Sequence, residues 1–492
     1  MEILNCAGKF LLIAGLVGAV PGMSVADLAV TEGVADYQVF QRSDNDTATI
    51  QVKGTADKDG AIEVCLLKGE DNVSGFHWKK VADAKDSVWE ATIEDIPLGG
   101  PYTLQFRMKS KKSEVVSVKE ILVGDLWILA GQSNMQGVGD MIDVEEPSPL
   151  VHSYEFRERW AIAEEPLHHL LESPDPVHWD PKMEEAERTR LAQEYRDNPK
   201  KGTGLGMPFA KEMVQRTGVP IGLVPCAHGG TSMEQWNFEK KYKGGESLYG
   251  AMFRRFEVVG GRVKGVLWYQ GESDANPEAA PLFEEKFREF VKAVRRDFNQ
   301  PDLPFYYVQI GRFVQRNVAI GPWNEVQDIQ FRLAGEIPHC GMAPSVDLEL
   351  DDLIHIGTQG QKRLGKRLAN LACRDLFGET DVLPGPSNPV AKYEKSDIYH
   401  RVRISFDNVN GKLQAVGPIS GFSIRNEYRS DMCLVYDAYF DENQPNCVVL
   451  ELWQEPPEKA YLWYGWALNP YCNVVDEKDM AVPAFGPIEV QR

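Results

Sequence analysis

Apolar residues recur at every second position over much of the first hundred residues. Ala48, Ile50 and Val52 alternate with Thr and Gln, and Ile62, Val64 and Leu66 alternate again. Gly99-Gly100-Pro101 reads as a turn, after which Tyr102, Leu104 and Phe106 keep the same period. Period-two runs bounded by turn residues predict antiparallel strands, and a β-sandwich domain over residues 27–120 is the natural outcome. Near residue 121 the pattern changes. Leu126-Trp127-Ile128-Leu129-Ala130 is a continuous apolar run, as expected of a strand buried on both faces. Similar runs occur at Ile221–Val224, Val263–Tyr269, Phe305–Ile310 and Gly341–Val346. Between them lie helical stripes: Phe283, Phe287, Phe290, Val291, Val294 and Phe298 in one, and Leu364, Leu368, Leu371 and Ala372 in another. Buried strands alternating with amphipathic helices predict an α/β fold with a doubly wound parallel sheet over residues 121–383.

Residues 140–203 interrupt that rhythm. They are charged, lack a clear period and carry Pro147, Pro149, Pro166, Pro174, Pro176 and Pro181. They read as a long insertion over one sheet edge, a candidate lid. From residue 384 the chain turns β-rich again, with Val402, Ile404 and Phe406 alternating and Asn410-Gly411 predicting a hairpin. The tail is aromatic (Tyr461, Trp463, Tyr464, Trp466).

At the other end, Lys9 precedes the apolar run Phe10–Val20, and Ser24-Val25-Ala26 has the small-x-small form of a cleavage site. Residues 1–26 therefore read as an export signal, which predicts a secreted or periplasmic protein. No later segment offers the roughly 18 apolar residues of a membrane span. The 492 residues suggest about three domains at roughly 150 residues each. The formal charge of −20 argues against a nucleic-acid partner, since phosphate binding needs a basic surface. Seven cysteines follow the signal (Cys65, Cys226, Cys340, Cys373, Cys433, Cys447, Cys472), an odd number at spacings that match neither a disulfide framework nor a metal site. Cys433 with Cys447 is the pair expected to bridge, and the others read as small buried hydrophobes.

The candidate chemistry falls at strand ends, where open α/β sheets bind ligands. Gly131-Gln132-Ser133-Asn134-Met135 follows the strand ending at Ala130. A serine on such a turn exposes its Oγ beside backbone N–H groups that can hold an oxyanion, although Ser is also a favoured helix N-cap. Gly229-Gly230-Thr231-Ser232 follows the next strand, and paired glycines let backbone N–H groups approach a substrate. Gln270-Gly271-Glu272-Ser273 follows Val266-Leu267-Trp268-Tyr269, placing an amide where it can meet developing negative charge. Asp352 stands three residues before His355, a spacing that sets a carboxylate on one imidazole nitrogen and turns the other toward the serine. Asp347 is a second possible acid. The remaining histidines read as structural, and His168-His169 shows no metal-ligand spacing.

These blocks resemble the SGNH hydrolase superfamily, and more closely the sialate O-acetylesterase-like carbohydrate esterases. The nucleophile block resembles Gly131-Gln132-Ser133-Asn134-Met135, the glycine block Gly229-Gly230-Thr231, the third block Gln270-Gly271-Glu272-Ser273, and the last Asp352 with His355. Val39-Phe40-Gln41-Arg42, Val123-Gly124-Asp125-Leu126-Trp127 and Tyr464-Gly465-Trp466 to Asn469-Pro470 resemble family signatures outside the catalytic blocks. The chain departs from the pattern at Ile356, where the family has Pro, and at His228, ahead of the glycines. The resemblance implies an SGNH (flavodoxin-like) sheet and a serine esterase that removes O-acetyl groups from a glycan or sialoside. Ser133, Asp352 and His355 would be catalytic. Gly229, Gly230, Gln270, Gln132 and Glu272 would line the oxyanion and substrate site. No metal or organic cofactor is implied.

Other readings stay open. A lipid or thioester hydrolase of the same superfamily would need an apolar acyl pocket. A non-catalytic carbohydrate-binding protein would suit the β-rich regions and the aromatic tail. A glycoside hydrolase would use a carboxylate pair such as Glu272 with Asp274 or Asp352, leaving the serine block unexplained. An α/β-hydrolase would need a G-x-S-x-G motif, which the sequence lacks.

Overall fold

The computed structural model describes residues 28–492 except Asp397. The expected export signal and its cleavage site lie outside the described residues. Three hydrophobic cores match the three sequence regions. The first is built by Thr47–Ala56, Val88–Pro97 and Leu28–Glu32 in one sheet, facing Gly60–Lys68, Gly99–Met108 and their neighbours in another. Ile50, Val52, Val64, Leu66, Leu104 and Phe106 all point into it, as their period-two spacing requires. Gly99-Gly100-Pro101 is not a turn. It opens the strand Gly99–Met108, where the register shifts against the next strand and Gly100 takes a left-handed φ of +118°.

No linker separates this region from the next. A single strand, Val115–Gly131, pairs antiparallel with Gly99–Met108 along its first half and joins the central sheet along its second. Glu120, at φ +57°, marks the bulge where it changes sheets.

The central sheet runs Val151–Tyr154, Ile221–Pro225, Val115–Gly131, Gly265–Tyr269, Phe305–Gln309, Cys340–Pro344, all parallel, with Trp160–Ile162 antiparallel at the edge. Helices cover both faces. Trp127 meets Phe209 of α3 (Gly206–Thr217), and the Tyr306 hydroxyl donates to Asp375 of α7 (Thr358–Phe377). On the other face Trp268 and Phe305 pack on Phe290 of α5 (Ala280–Asp297), which also meets Tyr249 of α4 (Leu248–Val258), and the Tyr307 hydroxyl donates to the Gln330 carbonyl of α6 (Ile320–Glu336). Neighbouring residues 305 and 306 thus face opposite ways, the direct consequence of the strand's period.

Residues 140–203 are more than an insertion over the edge. Val151–Tyr154 is a full member of the parallel sheet, too short and too mixed in composition for its period to show in sequence. Beyond it the segment forms the exposed helix α2 (Glu185–Asp197). In the C-terminal region a seven-stranded sheet surrounds the third core. Asn410-Gly411 does not close a hairpin there: the strands on either side, His400–Asp407 and Leu413–Ala415, belong to different sheets. Asn410 is instead a clamp, its amide bonded to the Leu383 backbone and to Asp476. The expected Cys433–Cys447 bridge is absent; both are free thiols, one exposed and one buried. Of the other five, all but the half-buried Cys340 are buried. Among the described residues no helix is long and apolar enough to cross a membrane.

Candidate active site

Ser133 opens the single-turn helix α1 (Ser133–Gln136) at the C-terminal end of Val115–Gly131. Gly131 makes the turn possible: it takes φ +135°, and a Cβ there would stand 2.2 Å from the Tyr269 carbonyl oxygen. Among the described residues the Ser133 Oγ and N–H make no hydrogen bond, with His355 or any other group, so the serine is uncommitted.

The acid–imidazole pair sits on the loop after Cys340–Pro344. Asp352 Oδ2 lies 2.8 Å from His355 Nδ1, which leaves Nε2 as the free ring nitrogen. The other carboxylate oxygen accepts the backbone N–H of Ile354 and of His355 at 3.0 and 2.9 Å. Burial works against ionisation of Asp352, but those donors outweigh it and hold its pKa down to about 2. Lys201 Nζ stands 3.7 Å from the same carboxylate. Asp347 is not a partner of His355: it forms a buried ion pair with Arg367 and bonds Arg363. Asp351 instead accepts the N–H of Asp140.

Asn134, the residue after the serine, joins the two halves. Its amide nitrogen donates to the Ile354 carbonyl (3.4 Å) and its amide oxygen accepts the Ile356 N–H (3.0 Å), so it grips the backbone on both sides of His355. The same amide nitrogen donates to Glu272 Oε1 at 2.8 Å. Sequence reasoning passed over Asn134 as part of the serine's turn. Its signal was chemical: a short side chain carrying donor and acceptor, next to the candidate nucleophile.

The expected oxyanion residues behave differently from one another. Gly229 abuts the serine, since a Cβ on it would lie 3.4 Å from the Ser133 Cβ. Its N–H, however, donates to Gln136 Oε1 at 2.8 Å. Gly230 is exposed and left-handed (φ +69°), and its N–H has no partner among the described residues. Gln270 is fully buried and both its amide hydrogens are engaged, with the Thr231 carbonyl at 3.1 Å and Asp274 Oδ2 at 2.5 Å. In this geometry it braces the glycine loop and offers no donor to a substrate. Gln132 braces likewise, accepting the Ser273 N–H at 3.2 Å and the Gly271 N–H at 3.5 Å.

Glu272 is partly covered as a residue, but its Oε2 is shut off from solvent without a partner. Burial raises its pKa to about 7, opposed by the Asn134 hydrogen bond and assisted by the Asp274 charge. His228 stacks on His178 with ring centroids 5.3 Å apart and their Nδ1 atoms at 3.2 Å. Burial lowers both pKa values, and one shared proton satisfies that contact with both rings neutral. Among the described residues no cluster of three or more His, Cys, Asp or Glu has the arrangement to hold a metal ion.

Comparison with known proteins bears on these blocks directly. The family model described as carbohydrate esterase, sialic acid-specific acetylesterase, matches residues 123–374, which contain all four. A probable carbohydrate esterase of Arabidopsis thaliana is 32% identical over 266 residues, covering 50% of this chain and 88% of its own. The sialate O-acetylesterase of Homo sapiens is 22% identical over 318 residues, covering 58% of this chain and 59% of its own length. The crystal structure of a carbohydrate acetylesterase from Xanthomonas citri superposes with a TM-score of 0.62 at 22% identity, over 93% of this chain and 99% of that one.

Proposed function

The chain belongs to the family of carbohydrate esterases described as sialic acid-specific acetylesterases, and we propose that it releases acetate from an O-acetylated glycan through a covalent acetyl-serine at Ser133. The observation that carries the mechanism is the Asp352–His355 hydrogen bond at 2.8 Å, on a loop that Asn134 fastens to the serine's turn. We read the sheet with helices on both faces as the SGNH (flavodoxin-like) layout. Residues 121–383 form the esterase domain, residues 28–120 a β-sandwich domain and residues 384–492 a C-terminal β-rich region.

In the reaction, His355 Nε2 takes the proton from Ser133 Oγ as the oxygen attacks the acetyl carbonyl. Asp352 keeps the other proton on Nδ1, holding the tautomer in which Nε2 is a base, and balances the imidazolium that forms. The N–H groups of Ser133 and Gly230 are free to receive the oxyanion, and losing one such donor costs roughly 10²–10³ in kcat. His355 then protonates the departing sugar oxygen. Water, deprotonated by His355, attacks the acetyl-serine and restores the enzyme. Gln132, Gln270 and Glu272 act from behind, holding the neighbouring loops and the Asn134 side chain in register.

The test is acetate release from an O-acetylated sialoside, acetylated xylan, acetylated pectin and p-nitrophenyl acetate, run beside Ser133→Ala. Release from one glycan, abolished in a folded variant, is the expected outcome and identifies the sugar. Activity retained in Ser133→Ala removes Ser133 as the nucleophile.

A further inference from the structure

A cavity of ≈ 660 Å³ lies under α2, within the roughly 300–1,000 Å³ typical of small-ligand sites. It flanks the candidate catalytic centre without containing it: Ser133, Gly230 and His355 do not line it. Gln136, in one wall, accepts the Gly229 N–H next to Ser133, and Lys201, in another, stands 3.7 Å from Asp352. Leu170, Leu171 and Leu191 supply apolar surface. The buried polar groups are imidazoles. His169 is 8% exposed, and its Nδ1 has no hydrogen-bond partner among the described residues. His168 is buried with neither ring nitrogen partnered. His178 engages His228 through Nδ1 and leaves Nε2 unpaired.

Burial lowers the pKa of all three, that of His168 to about 3, so each ring is neutral near pH 7. A neutral imidazole carries one N–H donor and one bare acceptor nitrogen. A hydroxyl, which both donates and accepts, satisfies either nitrogen. A carboxylate only accepts, and would set its lone pairs against the bare nitrogens. The charges in the walls are largely balanced: Lys201 sits between Asp140 and Asp352, Arg196 binds Glu172, and Arg190 binds Glu194. Lys200 and Asn198 have no side-chain partner, but both are exposed, so water screens the ammonium charge while both side chains stay free to donate to hydroxyls. A pyranose supplies what these walls lack. Its hydroxyls meet the ring nitrogens and the Lys200 and Asn198 donors, and its apolar ring face meets the leucines.

We propose that this cavity is a binding site for a neutral sugar residue, separate from the place where Ser133 meets the ester. Buried donors and acceptors without partners are costly, and the sugar's hydroxyls complete them. Beside both the serine's turn and Asp352, the site is placed to hold an unacetylated unit of the glycan while another unit is deacetylated. That role rests on the esterase reading above; the binding itself does not.

The experiment titrates the full chain with lactose, cellobiose and xylobiose, and with digalacturonate as the anionic probe, by isothermal calorimetry. Saturable binding of at least one neutral disaccharide, tighter than that of digalacturonate, is expected. His169→Phe removes the ring nitrogens at similar volume, and Ala192→Trp fills the cavity from α2. Each should weaken that binding about tenfold or more. Circular dichroism checks that each variant folds, and either one alone decides the test. Hydrolysis of p-nitrophenyl acetate should stay within about twofold in both, because neither residue belongs to the catalytic centre. No saturable binding of any neutral disaccharide overturns the proposal. So does binding that is unchanged in a folded variant, that favours digalacturonate, or that falls only in step with p-nitrophenyl acetate hydrolysis. A chain that binds the sugar, loses it in the variants and releases no acetate from any substrate would support this site and overturn the esterase reading alone.

Discussion

Glu272→Gln tests the electrostatics behind the Asn134 side chain. The buried carboxyl has its pKa raised from 4.5 to about 7, burial being the dominant cause. Because the folded value lies above that of the unfolded chain, folding favours the protonated form. The contribution is complete below pH 4.5 and is lost as the pH rises through about 7. At about 1.36 kcal/mol for each tenfold change in proton affinity, the whole step is worth about 3 kcal/mol. Gln keeps an oxygen to accept from the Asn134 amide and cannot ionise, so the variant lacks this step. Thermal unfolding of wild type and variant, followed by near-ultraviolet circular dichroism from pH 5 to about 9, isolates it, because every other titrating group cancels in the difference. The wild type should lose stability relative to Glu272→Gln across that range by roughly 6–12 °C in the midpoint at the alkaline end. Parallel curves would show that Glu272 is ionised throughout and that its burial is compensated by contacts other than Asn134.

Asn134→Ala should lower kcat about 10²-fold with little change in KM, since it frees the backbone around His355 without touching the sugar; unchanged kcat would show that the loop holds itself. Asp352→Asn should lower kcat by about 10⁴, as loss of the tautomer-fixing acid does elsewhere. Asp347→Asn should spare kcat and lower stability by about 3 kcal/mol, because it breaks the buried pair with Arg367. The opposite pattern in rate assays and denaturant titrations would make Asp347 the acid. Ser133→Ala should abolish acetate release with its circular dichroism spectrum unchanged.

The sequence by itself determined most of the scaffold's secondary structure and marked Ser133, His355 and Asp352 as candidates for nucleophile, base and acid. Burial on two faces demands unbroken apolar strands such as Leu126–Ala130 and Phe305–Gln309, and one-sided packing demands stripes such as Phe283, Phe287, Phe290 and Val294. The Asp352–His355 contact was legible because it is local, three residues within one loop. Only the tertiary structure decided what lies far apart in the chain. The strand Val151–Tyr154 owes its place to pairing with Ile221–Pro225, not to its own period, and Val115–Gly131 serves two sheets because its two halves meet different partners. In sequence, Asp347 stands as a second possible acid beside Asp352. Arg367, on another element, takes the first, and the turn preceding His355 leaves the second to the imidazole. Gln270 resembles an oxyanion donor until Thr231 and Asp274 are seen to occupy both its hydrogens. Asn134 lies within the serine block, but its grip on the loop of His355 carries no period or motif, because hydrogen-bond partners are set by which surfaces meet, and that is fixed only when distant segments pack.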